Sequence, residues 1–278
     1  MRIKSATLRT SFAKIDQFCK SNSQLFKNQG KPGRPGRKYT YKDKEILKML
    51  FIRDKEKIPS NRELIGFLKT YCSSWFKKIP DHSTLSRREK KLVPLQNLLR
   101  VHLLKEMVSP QDRVRLVDST PISVVRYERS GRYKLIPEAT YGYCSTKDEK
   151  YKGFKLHLLA TALGIPTDFE LTPANVHDLK VLEELIWDYY QLIVVGDKGY
   201  LDKKLKADLL KEQKLLITPY KKNQSARNTS LEKRLLRLRK RIETAFNQLK
   251  LKFNLINHQM KTLQGLMARI LSILTSFT

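Results

Sequence analysis

The stretch LIVVGDKGY at residues 192–200 is an apolar run that ends abruptly at a glycine and an aspartate. Consecutive apolar residues with no polar face are typical of a strand that is buried on both sides of a sheet. The glycines that flank Asp197 allow tight backbone geometry and the close approach of a ligand. Because ligands favour the loops at the carboxyl ends of such strands, this stretch predicts both a core strand and a candidate site.

Further strands and helices extend outward from this core strand. The sequence VRLVD at 114–118 predicts a strand, and similar patterns predict strands at 122–127, 155–161, 169–172 and 215–218. Helical periodicity predicts helices at 178–190, 201–213, 231–253 and 263–277. Three strands followed by alternating helices and strands predict the fold class α/β, with a mixed sheet flanked by helices.

The region before the sheet has a different pattern. Residues 1–39 comprise a short amphipathic helix and a basic linker rich in glycine and proline. Residues 40–108 contain several short helical patterns that end in a basic one, which is typical of a small, all-helical, helix-turn-helix-like DNA-binding domain. The predicted domains are therefore 1–39, 40–108 and 109–278.

The composition indicates a nucleic-acid partner. The 278 residues include 56 Lys and Arg against 27 Asp and Glu, and the formal net charge is +29. Such a charge on a chain with enough apolar residues for a core favours binding to a polyanion. The three cysteines form no CxxC pair, and no apolar run is long enough for a membrane span, so we expect a cytoplasmic protein without membrane contact.

Three acidic residues are candidates for chemistry on nucleic acid. Metal-assisted phosphoryl transfer needs carboxylates gathered around two Mg²⁺ ions roughly 4 Å apart. Asp118 closes a predicted strand, Asp197 follows the core strand, and Glu243 lies on a basic helix beside Arg239 and Lys250. Each also has a simpler interpretation: Asp118 as a cap or turn residue, Asp197 as a turn residue, and Glu243 as an i,i+4 ion pair with Arg239. Asp178 competes with Asp197, although a role as a helix N-cap would explain it.

Several motifs occur together in one order along the chain. They are LVDS at 116–119, YKGFKLH at 151–157, TPANVHD at 172–178, VVGDKGY at 194–200, ITPYKKN at 217–223 and RIETAFNQLK at 241–250. With these motifs the chain resembles DDE transposases of bacterial insertion sequences, and it is most similar to the insertion sequence 982 family. The resemblance covers about 114–253, roughly half of the chain.

The resemblance implies a ribonuclease H-like catalytic core with Asp118, Asp197 and Glu243 as its metal-binding triad. It implies two Mg²⁺ ions, which Mn²⁺ can replace, with Asp118 bridging both ions. It also implies cleavage at the ends of the element and strand transfer into target DNA, so the partners would be double-stranded terminal inverted repeats and target DNA. Joining two ends calls for a homodimer or a larger assembly. Related transposases carry a Tyr-x2-Arg-x3-Glu-x6-Lys signature; Arg239, Glu243 and Lys250 match it, but Leu236 replaces the tyrosine.

Two further segments are candidates for DNA contact. Gly33-Arg34-Pro35-Gly36-Arg37 resembles an AT-hook core, which would place Arg34 and Arg37 in a narrow minor groove. The alternative is a solvated cationic linker. In the basic helix of residues 40–108, Arg87, Arg88 and Lys91 are candidates for phosphate or base contacts. The alternative there is a helical scaffold with a solvated basic face.

The sequence leaves two other functions open. The chain could be a catalytically inactive DNA-binding protein that descends from a transposase, or a plain nuclease of the ribonuclease H fold. For an active transposase we expect a bacterial or archaeal cytoplasm, in association with the nucleoid.

Overall fold

The fold is described from a computed structural model, which covers residues 5–24, 40–144, 148–220 and 227–278. The AT-hook-like segment with Arg34 and Arg37 lies outside these residues. Contacts between Cα atoms divide the described chain into two compact units. The first runs as far as Lys105 and also includes Leu249–Thr278, and the second is Glu106–Gln248.

The helices and strands follow one another along the chain as α1 (Ser5–Ser21), α2 (Asp43–Lys55), α3 (Asn61–Tyr71), α4 (His82–Lys91), α5 (Val93–Met107), β1 (Val114–Val125), β2 (Thr140–Cys144), β3 (Glu149–Thr161), β4 (Pro166–Pro173), α6 (Asp178–Leu185), β5 (Ile193–Val195), α7 (Lys203–Lys211), β6 (Leu215–Ile217), α8 (Ser230–Arg237), α9 (Lys240–Phe253) and α10 (Leu263–Phe277). Short 3₁₀ turns lie at Ser73–Trp75, Tyr127–Arg132 and Lys198–Tyr200.

The first unit is helical. Helices α1 to α5 share a core with residues such as Phe18, Met49, Leu64 and Leu85. Residues 40–108 therefore contain helices and no strand among the described positions, while their interpretation as a helix-turn-helix domain stays a prediction. None of the helices in the described residues combines the length and the apolar composition that crossing a bilayer requires.

A buried ionic network ties helices of the first unit to α10. Arg53 on α2 is paired with Glu89 on α4 at 2.7 Å, and Asp54 accepts from Arg269 on α10 at 2.8 Å. Ser272 also donates a hydrogen bond to Asp54. Charges can be buried only if they are paired in this way. These contacts place α10 in the first unit, whereas the predicted domain 109–278 would have assigned it to the sheet; the division into three domains remains a prediction.

The second unit contains a six-stranded mixed sheet. The strand order is β2-β3-β1-β5-β6, and β4 also pairs with β3. β1, β3 and β4 pair antiparallel, whereas β5 and β6 run parallel to β1. Helices α6 and α7 pack on one face, against side chains such as Val117 and Val194. The prediction of a mixed sheet with helices packed on it is confirmed.

The first predicted pair of strands is one strand in the structure. β1 runs from Val114 to Val125, through residues 119–121, which lie between the two strands predicted from the sequence. It pairs with β3 along this whole length but with β5 only at Val114–Leu116. Beyond Leu116, β1 is therefore an edge strand on the β5 side, and proline is tolerated on edges because no ladder bond is lost there.

The long helix predicted at 231–253 is two helices. A turn at Leu238 and Arg239 separates α8 from α9, and α8 begins with a capping box formed by Thr229 and Glu232. The apolar stripe predicted along this helix is buried only from Ile242 onward, while Leu231 is exposed. The break places Glu243 in the first turn of a new helix.

Candidate active site

Asp118 and Asp197 come together because two parallel strands end side by side. Leu116 of β1 pairs with Val195, the last residue of β5. Asp118 and Asp197 each follow this pair by two residues, and Asp197 keeps an extended backbone with φ −84° and ψ −173°. Neighbouring strands lie about 4.8 Å apart. The register therefore places both aspartates on the same face, at the edge of the sheet where β5 ends.

The electrostatics of Asp118 show that the three predicted acids are neighbours. The pKa of Asp118 is raised to about 6, mainly by burial and in part by the negative charges of Asp197 and Glu243. A hydrogen bond from the Ser119 backbone N–H and the charge of Arg239 oppose this shift. A carboxyl in this setting resists ionisation until a cation compensates the local charge.

Asp197 has one oxygen occupied by its own loop. Its Oδ1 accepts a hydrogen bond from the backbone N–H of Gly199 at 2.7 Å, which holds the 3₁₀ turn Lys198–Tyr200. The side chain of Asp197 therefore acts as the cap of this turn, as the simpler interpretation of the sequence required. Its second oxygen, Oδ2, remains available for a ligand, so the two interpretations are compatible.

Glu243 is the most exposed of the three acids. Its side chain is 54% exposed, and its Oε1 lies 4.0 Å from a guanidinium nitrogen of Arg239. The predicted i,i+4 ion pair is thus present, but its distance is the longest at which an ion pair is counted. Its contribution to the stability of the fold is therefore small. Within the described residues no three acidic, histidine or cysteine side chains are close enough to form a ready-made metal site.

Asp178 lies on the other face of the sheet from Asp118. Its Oδ2 accepts from Ser119 at 3.0 Å and its Oδ1 is paired with Lys155 at 2.7 Å. Successive residues of a strand point to opposite faces, so the partner of Ser119 cannot share the face of Asp118. The expected N-cap role of Asp178 is wrong, because His177 is the N-cap of α6. The structure therefore separates Asp178 from the pair formed by Asp118 and Asp197.

Sequence reasoning missed the polar cluster around Asp178. His157, which is fully buried, bonds Thr172 at 2.9 Å, and its burial lowers its pKa to about 4. Tyr200 is also buried, and its hydroxyl has no hydrogen-bond partner in the described part of the chain. The sequence did contain a sign of this cluster. Lys155 and His157 lie two residues apart on one strand and therefore on one face, and polar side chains on a buried face need partners there.

The predicted DNA-contacting residues have different environments. Arg87 and Lys91 are exposed on α4. Arg88 is buried and is ion-paired with Asp43, so we withdraw it from the set of candidate DNA contacts. Arg239 is half-buried beside Asp118, and Lys250 lies in the last turn of α9.

The chain aligns with two solved transposase complexes, both at a low TM-score. A synaptic complex of the piggyBac transposase with hairpin DNA aligns with a TM-score of 0.41 and 12% identity, over 77% of this chain and 49% of that one. The chain thus spans about half the length of that piggyBac chain. The Mos1 transposase paired-end complex with the left transposon end aligns with a TM-score of 0.24 and 13% identity, over 85% of this chain and 88% of that one.

The family comparison is more specific. No curated protein sequence matches the chain significantly. The sequence model of the family described as "Transposase DDE domain" matches residues 109–278, which is more than half of the chain. That range contains the strand ends with Asp118 and Asp197 and the helix with Glu243. The chain belongs to the family of transposases with a DDE domain.

Proposed function

We propose that this protein is a DNA transposase of the insertion sequence 982 type, which cleaves the ends of its element and transfers the freed strands into target DNA. The observation that carries the proposal is the strand register that brings Asp118 and Asp197 side by side where β5 ends, with the negative charges of Asp197 and Glu243 contributing to the raised pKa of Asp118. Perturbed carboxyl groups that cluster in this way are typical of catalytic sites.

The topology of the sheet supports a ribonuclease H-like core. Strands β1, β3 and β4 form an antiparallel series, and β5 and β6 extend the sheet in parallel on the far side of β1. The first two acids of the proposed triad then lie on adjacent central strands, and the third lies on a later helix. This is the arrangement that the resemblance to DDE transposases implies.

The three acids suit two Mg²⁺ ions in their chemistry. Magnesium prefers carboxylate oxygens, and burial together with the negative charges of Asp197 and Glu243 raises the pKa of Asp118, as is expected where carboxylates cluster. Asp118, Asp197 and Glu243 would together hold the ions. When bound, the ions supply activation of the attacking oxygen and stabilisation of the leaving oxygen.

The side chains of the chain itself prepare this site. The Gly199 backbone N–H orients Asp197, and burial between the strands limits the access of water to Asp118. Arg239 lies 4.0 Å from Glu243, and its guanidinium would be a donor to a DNA phosphate beside the carboxylates. Proposed partners are the double-stranded terminal inverted repeats and target DNA, bound by a homodimer or a larger assembly in the cytoplasm near the nucleoid.

The test is to neutralise each acid without changing its shape. We expect Asp118→Asn, Asp197→Asn and Glu243→Gln each to abolish cleavage of DNA with terminal inverted repeats, because each removes a charge that a metal ion needs. Binding to the same DNA, measured in EDTA by fluorescence anisotropy, should be unchanged. Calorimetric titration with Mn²⁺ should show weaker binding to every variant.

Asp208→Asn is the matched control, because the side chain of Asp208 on α7 is 44% exposed and is ion-paired with Lys211. It should cleave and bind as the unaltered protein does. Cleavage at the normal rate in any triad variant would remove that residue from the site. Cleaved ends that are never joined to a target would identify a nuclease rather than a transposase.

A further inference from the structure

A cluster of tyrosines and lysines occupies one exposed face where β2 pairs with β3. Tyr141 is opposite Lys152 and Tyr143 is opposite Lys150 in this antiparallel pair. Side chains of alternate residues lie on the same face of a strand, so all four share one face. Tyr141 is 51% exposed and Tyr143 is 58% exposed.

A third tyrosine extends this face from the neighbouring 3₁₀ turn. The ring of Tyr127, which is 42% exposed, meets the ring of Tyr141 edge to face with centroids 6.0 Å apart. The Lys150 ammonium lies 6.0 Å from the Tyr127 centroid and the Lys152 ammonium lies 5.3 Å from the Tyr141 centroid. We call the surface formed by Tyr127, Tyr141, Tyr143, Lys150 and Lys152 the tyrosine–lysine face.

The tyrosine–lysine face has a rigid backing. Lys152 donates hydrogen bonds to the carbonyl groups of Ser130 and Tyr133, at 3.1 and 3.4 Å, and so fastens the 3₁₀ turn to β3. On the opposite side of β3, Tyr151 is buried and Gly153 lies so close to β1 that a Cβ there would overlap the carbonyl oxygen of Ile122. The exposed rings therefore stand on a fixed sheet and lose little conformational freedom when a ligand binds.

The tyrosine–lysine face lies on the same side of the sheet as Asp118. Asp118 pairs with Leu158 of β3, and Lys152 precedes Leu158 by six residues. An even separation along a strand keeps the two positions on one face, and six residues span roughly 20 Å. Phe154 and Leu156 lie on this face between them and are buried, so the tyrosine–lysine face is a separate exposed surface of the sheet that carries Asp118.

We propose that the tyrosine–lysine face binds unpaired nucleotides of DNA, with bases stacked on the tyrosine rings and phosphates held by Lys150 and by the exposed Arg129 of the adjacent turn. Exposed aromatic rings interleaved with cations are the pattern that binds single strands. In a duplex the faces of the bases are already stacked on one another and cannot reach such rings. The inference rests on the proposed function, and it adds that the protein holds a separated strand on the sheet that carries the carboxylates.

The test compares the loss of the rings with the loss of the hydroxyl groups alone. Tyr127→Ala/Tyr141→Ala removes two stacking surfaces, and Tyr127→Phe/Tyr141→Phe retains them. The probe is an oligodeoxythymidine that carries one 2-aminopurine, titrated with the full chain in EDTA. Because each stacked base contributes on the order of a tenfold change in affinity, we expect the alanine variant to bind about tenfold or more weakly and the phenylalanine variant to bind within about twofold of the unaltered protein.

A second measurement uses the unaltered protein and needs no variant to fold. Stacking of 2-aminopurine on a tyrosine of the unaltered protein should quench the fluorescence of the base when the oligonucleotide binds. As a separate control, circular dichroism should show that both variants have the fold of the unaltered protein. Three results would each overturn the proposal. They are no quenching on binding, an equal loss of affinity in the alanine and phenylalanine variants, and an equal loss of affinity for blunt duplex DNA in the alanine variant. Since the assay needs neither metal nor cleavage, it is independent of whether the triad is catalytic.

Discussion

Asp118 couples the stability of the fold to pH. Its pKa is about 6 in the folded protein and about 3.8 when unfolded, so the unfolded chain loses this proton first as the pH rises. The stabilisation that accompanies the protonated form is therefore complete below pH 4 and is lost as the pH rises through 6. Near neutral pH the folded protein holds an ionised carboxylate in an unfavourable environment.

We expect Asp118→Asn to remove this penalty. In EDTA at pH 7.5 the variant should have a free energy of unfolding up to about 3 kcal/mol above that of the unaltered protein. The difference should shrink toward zero below about pH 3, where Asp118 is protonated in both the folded and the unfolded state. Urea denaturation at both pH values measures the effect. A variant that is destabilised equally at both would show that burial does not perturb Asp118.

The two central aspartates were predictable as single residues, whereas their surroundings were not. Asp118 and Asp197 stood out because an acid directly after an apolar run marks the end of a buried strand. Arg88 gave the opposite result, since a basic helix in sequence does not show which cation faces inward. Arg88 is ion-paired with Asp43, which lies 45 positions earlier in the chain (88 minus 43). The pattern of neighbouring residues cannot predict a contact over such a distance.

Among the elements, the turn between β3 and β4 supports the helix that carries Glu243. Gly164 has φ +83°, and a Cβ there would lie 2.8 Å from the carbonyl oxygen of Arg241, at the start of α9. Only glycine adopts this backbone conformation without strain and allows such a close approach. The turn therefore fixes the position of the first residues of α9.

Gly164→Ala should consequently affect both stability and cleavage. We expect a loss of about 1–3 kcal/mol in the free energy of unfolding, together with slower DNA cleavage, because the start of α9 must shift. DNA binding should change little. Gly131→Ala is the control, since nothing lies within 4 Å of the Cβ it would add. Equal stability of the two variants would disprove the supporting role of this turn.

The elements that the sequence misplaced share one physical cause. β1 was divided in two because Pro121 usually ends a strand, and only the short length of β5 makes this position an edge. The sequence did not predict the break between α8 and α9, because Leu238 and Arg239 are good helix formers and the helical spacing of apolar residues continues through them. Long-range packing decided both cases, and local propensity cannot report it.

For the whole molecule, the net charge of +29 predicts DNA binding that depends strongly on salt. If about six phosphates are neutralised, affinity for a duplex without terminal repeats should fall on the order of 10³-fold between 50 and 200 mM salt. Arg87→Gln/Lys91→Gln should lower the slope of log affinity against log salt by about two, because each exposed cation removed frees one phosphate contact. An unchanged slope would exclude this face of α4 from the DNA interface.

The first compact unit is assembled from both ends of the polypeptide, since α10 contributes Arg269 and Ser272 to the buried network around Asp54. During synthesis on the ribosome, α1 to α5 emerge long before this last helix exists. Until then Asp54 is without two of its partners, and the charged interior of the bundle is incomplete. A nascent chain can therefore complete the sheet first and the helical unit last, so that the helical unit matures only in a protein that already has its carboxylates in place.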